Sequence, residues 1–192
     1  PEALLGVQQV NLAGFSFGAR VALAVAAHCP SAVSKLFITA VPLVRPTLGR
    51  VILDSWVETL ADVHLRPCAF NFLTDGFSSP YLKQNAAHLP LFADATVAGN
   101  KARRVHDLIR LSHADDAADP YSVPACAAAV RCPVQVVAAR FDRIAGLQPV
   151  QDLADALRQS VNPVHYVKMD TGHLAPFQPL VWRTHLMDFL AT

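Results

Sequence analysis

The chain has 192 residues, 53% of them hydrophobic and 16% charged, with a net charge of +1. That composition suits one domain with a large core, excludes a disordered chain, and leaves no excess charge for holding nucleic acid or an acidic partner. The four cysteines (Cys29, Cys68, Cys126, Cys132) form no C-x-x-C pair and no metal-like spacing, so reduced thiols near the core, a reducing and cytoplasmic setting, and no bound metal are expected. No apolar run is long enough to span a bilayer, and no signal peptide is expected.

In chain order, Pro1 to Gln8 reads as the tail of a helix and a short loop. Gln9 to Ala13 is a short buried strand. Phe17 to Cys29 is a helix that is apolar nearly all round (Val21 to Ala27), which predicts burial on most sides, and Pro30 stops it. Val33 to Thr39 is a second strand, rich in β-branched and aromatic residues. A strand–helix–strand unit with so short a crossover implies a parallel pair with helices on the faces.

Residues 42–120 break this rhythm. Helical patterns run over Val51 to Val63, Pro80 to His88 and Lys101 to Ser112, with turn signals at Thr74-Asp75-Gly76, Ser78-Ser79-Pro80 and Gly99-Asn100. We expect a helical cap over the site, inserted into a core made of 1–41 and 121–192; the alternative is that these helices merely cover the sheet. The rhythm then returns. Ser122 to Val130 is a short helix capped by Ser122, Val134 to Ala139 a strand apolar enough to be buried on both faces, Leu147 to Ser160 an amphipathic helix, Val164 to Met169 the last strand, and His173 to Leu190 a closing helix. The fold class is α/β, a mostly parallel sheet flanked by helices with a helical insertion.

The stretch Gly14-Phe15-Ser16-Phe17-Gly18 lies where the first strand passes into the first helix. A sharp strand-to-helix turn throws its middle side chain clear of the backbone, and a Cβ on Gly14 or Gly18 is expected to crowd the crossing. Ser16 then stands at a helix N-terminus, where free N–H groups favour negative charge, and the Phe17 N–H is aimed at a developing oxyanion. A serine hydroxyl needs a base, and the base a partner that fixes its tautomer. In a parallel sheet those groups belong at the C-terminal strand ends. Asp142 follows Val134–Ala139, and His173 follows Val164–Met169, so both project from the edge that carries Ser16. Asp119, Asp152 and Asp170 are rival acids. Among the other histidines, His28, His64, His88, His106, His113, His165 and His185 are weaker candidates. His113-Ala114-Asp115-Asp116 reads as a solvated turn before it reads as a metal site, and Lys101, Arg103 and Arg104 as a solvated helix face.

Taken together, these motifs resemble the α/β-hydrolase fold superfamily. Gly-Phe-Ser-Phe-Gly is similar to its nucleophile elbow, Val134 to Ile144 to its acid-bearing strand and turn, and Asp170-Thr-Gly-His173-Leu-Ala-Pro to its histidine loop. The helical insertion after the second strand sits where that family carries a cap. The resemblance is to esterases, lactonases, proline iminopeptidase-like peptidases and cofactor-free perhydrolases, and the serine at the elbow argues against the branches that use aspartate there. It implies a Ser16–His173–Asp142 triad acting on a small ester, lactone or related acyl compound, with no cofactor and with Phe15, Phe17, Phe70, Phe72 and Leu174 as pocket walls. Ala19 stands where many relatives have a second glycine.

Relatives normally begin with several more strands, one of whose loops supplies a second oxyanion N–H. With Ser16 so near the start of this chain, we expect an N-terminally truncated version of the fold. The Gln9–Ala13 strand is then an exposed apolar edge, and we expect the chain either to form a homo-oligomer through it or to be a piece of a longer protein. The rival functional expectations are a catalytically inactive hydrolase-like domain that binds a ligand or partner, and acyl transfer to an acceptor other than water.

Overall fold

A computed structural model describes residues 8–61, 65–112, 119–160 and 163–191. Among these, β1 (Val10–Phe15), β2 (Val33–Thr39), β3 (Val134–Ala139) and β4 (Val164–Met169) form one parallel sheet in the order β1-β2-β3-β4. The helices are α1 (Phe17–His28), α2 (Thr47–Ala61), α3 (Leu65–Gly76), α4 (Ser79–Asn85), α5 (Leu89–Gly99), α6 (Ala102–Ser112), α7 (Val123–Ala129), α8 (Leu147–Arg158) and α9 (Pro179–Ala191). No described helix is long and apolar enough to cross a membrane.

Strand side chains alternate between faces. Leu36, Ile38, Val134, Val136 and Ala138 face α1, α7 and α8, whereas Phe37, Val137 and Met169 face α9 through Trp182, Leu186 and Phe189. Each fully buried aliphatic side chain in these layers contributes about 1.5–3 kcal/mol relative to exposure. Every residue of β3 is buried, as its near-continuous apolar run predicts, and Gln135 within it donates to the His185 carbonyl at 3.2 Å. The register aligns the strand ends: Phe15 opposes Thr39, Thr39 opposes Val137, and Val137 opposes Val167. Residues just past β1, β3 and β4 therefore emerge along one edge.

The helices between β2 and β3 build two apolar clusters of their own, and each cluster includes a residue from a site loop. Ile52, Leu53, Trp56, Leu60 and Ile109 pack with Ile144, and Ala69, Leu73, Phe77 and Ala93 pack with Leu174.

Several element boundaries differ from the sequence expectation. β1 begins at Val10 and runs on to Phe15, and it is not the buried strand expected: Asn11 and Ala13 are exposed because β1 stands at the sheet's edge. α2 starts at Thr47, and its expected end at Val63 falls outside the described residues, as do the expected helix tail before Gln8, His64 and the His113–Asp116 segment. α3 and α5 were not anticipated. Pro67 and Pro90 stand in their first turns, where a missing N–H costs nothing, and Thr74-Asp75-Gly76 is the last turn of α3 rather than a separate loop. The closing helix begins at Pro179, not His173. Prolines at 176 and 179 confine 175–177 to a short 3₁₀ turn before it. The apolar composition of α1 does not mean burial all round. It packs through Ala19, Ala22, Leu23 and Ala26, while Val21 and Val25 are 49% and 40% exposed on the other side.

Candidate active site

Ser16 joins β1 to α1 with φ 52° and ψ −120°, a backbone region that costs a non-glycine residue about 1–3 kcal/mol. The surroundings enforce it. The Ser16 N–H continues the sheet ladder to the Thr39 carbonyl at 2.9 Å, and the Ser16 carbonyl accepts from Ala19 N–H at 3.0 Å and Arg20 N–H at 3.3 Å. Gly14 permits the crossing, since a Cβ there would stand 2.6 Å from both the Ala19 Cα and the Gly18 carbonyl oxygen. The expectation for Gly18 is corrected: a Cβ there would meet nothing within 4 Å beyond its own turn of helix, because the position faces outward. Phe17 opens α1, so its N–H has no carbonyl within the helix to reach.

Asp142 sits in a tight turn after β3 and its side chain is fully buried. Its Oδ1 accepts from the Ile144 and Ala145 N–H groups, both at 2.8 Å. The Nδ1 of His173 lies 2.9 Å from Oδ2 and 3.1 Å from Oδ1. A carboxylate only accepts, so Nδ1 carries the imidazole proton and Nε2 is left as the acceptor. That Nε2 stands 2.9 Å from Ser16 Oγ. Ladder bonds continue past the strand ends and tie the two loops together: Arg140 N–H donates to the Met169 carbonyl at 2.8 Å and Phe141 N–H to the Thr171 carbonyl at 2.9 Å. The rival acids are engaged elsewhere. Asp170 pairs with Arg140, Asp152 accepts from Gln148, and Asp119 accepts from the Tyr121 N–H.

Ser16 and His173 open onto a cavity of about 120 Å³. The rings of Phe15, Phe17, Trp56 and Phe72 line it, together with Arg20 and Arg45. The imidazole lies 5.2 Å from the Phe15 ring, centroid to centroid. Arg20 Nη1 and Arg45 Nη2 both donate to the Ser112 carbonyl, at 2.6 and 2.7 Å; Ser112 ends α6, where the helix dipole favours cations. Of the expected wall residues, Phe70 and Leu174 are not on this cavity. Phe70 lies under the Arg66 guanidinium, 5.1 Å from its centroid, and Leu174 is buried against Gly76. Helical phase turns Phe70 away, and the turn that follows His173 takes Leu174 into the core. Trp56, Arg20 and Arg45 were not anticipated as walls. Arg20, four residues past Ser16 and in the first turn of α1, is the one whose spacing carried a signal.

No family model and no curated protein sequence matches the chain. Among solved structures, an enol-lactonase from Burkholderia xenovorans superposes with a TM-score of 0.79 at 18% identity, over 100% of this chain and 69% of that one. MGS-M2, an α/β hydrolase enzyme from a Medee basin deep-sea metagenome library, gives 0.75 at 18% identity, over 100% and 68%. An acetylester hydrolase from Corynebacterium glutamicum gives 0.75 at 16% identity, over 92% and 58%. Parallel strand order, strand-end loops and these superpositions agree: the chain has the α/β-hydrolase fold.

Proposed function

We propose that the chain is a serine hydrolase acting on a small ester, lactone or related acyl compound. The observation that carries this is the continuous hydrogen-bonded line from the buried Asp142 carboxylate through His173 to Ser16 Oγ, with 2.9 Å at each link. In this reading His173 Nε2 takes the Ser16 proton as Oγ attacks the acyl carbon. The imidazolium then hands that proton to the leaving oxygen, leaving an acyl-serine. Water attacks the ester carbonyl in the second half, with its proton passing to Nε2 and then to Ser16 Oγ. Asp142 holds the tautomer and stabilises the imidazolium. The Phe17 N–H donates to the oxyanion; a single donor of this kind is worth roughly 10²–10³ in rate. The helices from α2 to α6 act as a cap, whose Trp56 and Phe72 bound the acyl group, and the small cavity favours short acyl chains. The likeness to a lactonase and an acetylester hydrolase supports this chemistry without naming the substrate.

The test is labelling with a fluorophosphonate followed by peptide mass spectrometry. An adduct on Ser16, absent from Ser16→Ala, is the expected result. A folded chain that takes no adduct favours the second reading, a hydrolase-like binding domain, for which the outer edge of β1, with which no described strand pairs, is the motivating feature.

A further inference from the structure

The last two residues of α3 reach both loops that flank Ser16 and a wall of its cavity. The Asp75 carboxylate accepts from Trp56 Nε1 at 2.9 Å and from Arg143 Nη1 at 3.2 Å. Trp56 is a wall of the cavity, and Arg143 directly follows Asp142. The Gly76 carbonyl accepts from the N–H of Leu174 at 2.9 Å, the residue after His173. Gly76 and Gly172 meet almost without clearance: a Cβ on Gly172 would stand 2.4 Å from the Gly76 oxygen, and one on Gly76 would stand 2.6 Å from the Leu174 side chain. Two consecutive residues thus touch the acid's loop, the base's loop and the cavity wall.

The magnitudes distinguish a catalytic role from a structural one. The Arg143 side chain is 54% exposed and that of Asp75 18%, so the ion pair is partly solvated and adds little to stability. A shift of reacting groups by an ångström costs about 100-fold in rate. A contact this weak in stability can therefore be strong in catalysis.

We infer that Asp75 and Gly76 are positioning residues that hold the Asp142 and His173 loops in register with the cavity wall. The packing of the α2–α6 helices then sets the reactivity of Ser16 as well as access to it. The inference rests on the proposed hydrolase reading, and its test includes a readout independent of turnover.

In the full chain, Asp75→Ala is expected to slow fluorophosphonate labelling of Ser16 by about 10- to 100-fold. On p-nitrophenyl acetate the loss falls in kcat more than in KM. Asp75→Asn, which keeps an acceptor for Trp56, recovers part of it, and Arg143→Ala combined with Asp75→Ala adds less than the two alone. The proton NMR resonance of the His173 Nδ1–H should move in Asp75→Ala. A wild-type labelling rate together with an unmoved resonance overturns the inference, as does a rate loss that only tracks the folded fraction by circular dichroism. If the wild type takes no label, the hydrolase reading fails, and the resonance alone decides: a shift on Asp75→Ala upholds the clamp and no shift rejects it.

Discussion

At Ser16 the chain holds a non-glycine residue in a strained backbone conformation. With φ at 52° and ψ at −120°, the backbone occupies a region where glycine is comfortable and serine is not. Ser16→Gly is therefore expected to abolish fluorophosphonate labelling yet stabilise the fold by about 1 kcal/mol, after the entropy that glycine returns to the unfolded chain is counted. Thermal melts of wild type, Ser16→Gly and Ser16→Ala check this. A glycine variant that melts below the alanine variant rejects stored strain at this residue. The positions of Ser16, Asp142 and His173 past the ends of β1, β3 and β4 were legible because a parallel sheet brings its C-terminal strand ends to one edge. Gly14 was legible for a physical reason that holds, close approach to Ala19. Gly18 was assigned the same reason by symmetry, and its outward direction cannot be read from the five letters alone. Phe70 and Phe72 looked equivalent in sequence. Only the helix phase, which takes Phe72 to the cavity and Phe70 to Arg66, separates them.

Among the elements, β2 and β3 could be read from apolar runs rich in β-branched residues, β4 only from the returning strand–helix rhythm, and Ser122 as a cap whose hydroxyl accepts from the Ala125 N–H. α3 and α5 could not, since proline, asparagine, threonine and glycine in their sequences argue for turns, and tertiary packing overrides that preference. α3 also carries Cys68, which is 3% exposed and packed with Leu60 and Ile109. Burial pushes its thiol from 9.0 up to about 11. A raised pKa in the folded state gives stability that is fully present below about 9 and lost as pH rises through about 11. Burial also raises Cys126 and Cys132, so the wild type should lose melting temperature steadily above pH 9. Cys68→Ala should start lower, because of the cavity it leaves, but fall less steeply. Parallel curves for the two proteins across that window would exclude Cys68 from the alkaline limb.

For the whole molecule, the order β1-β2-β3-β4 leaves β1 on the outside, and no described strand pairs with its outer edge. Sheets usually blunt such an edge with lysine, proline or a covering helix. The β1 sequence Val-Asn-Leu-Ala-Gly-Phe has no charge and no proline, and the only irregularity is a register shift at Val10/Asn11. Asn11 and Ala13 are exposed, and α1, which packs beside β1, adds the exposed Val21 and Val25. An uncharged edge next to an apolar helix face should recruit a second strand, and two copies of β1 can satisfy each other's open N–H and C=O groups. Sedimentation velocity over a concentration series should therefore show association. Ala13→Lys, which sets a charge on the edge without entering the core, should return the chain to monomer while leaving Ser16 labelling unchanged. Association that persists in Ala13→Lys would move the interface off β1, and a wild type that stays monomeric at every concentration would show that the backbone groups of this edge are satisfied some other way. Because Ser16 follows β1 directly, an edge-paired dimer would hold two copies of the Ser16 turn on one continuous sheet, and Ser16 labelling that stays constant across the same series is expected if pairing leaves each turn unchanged.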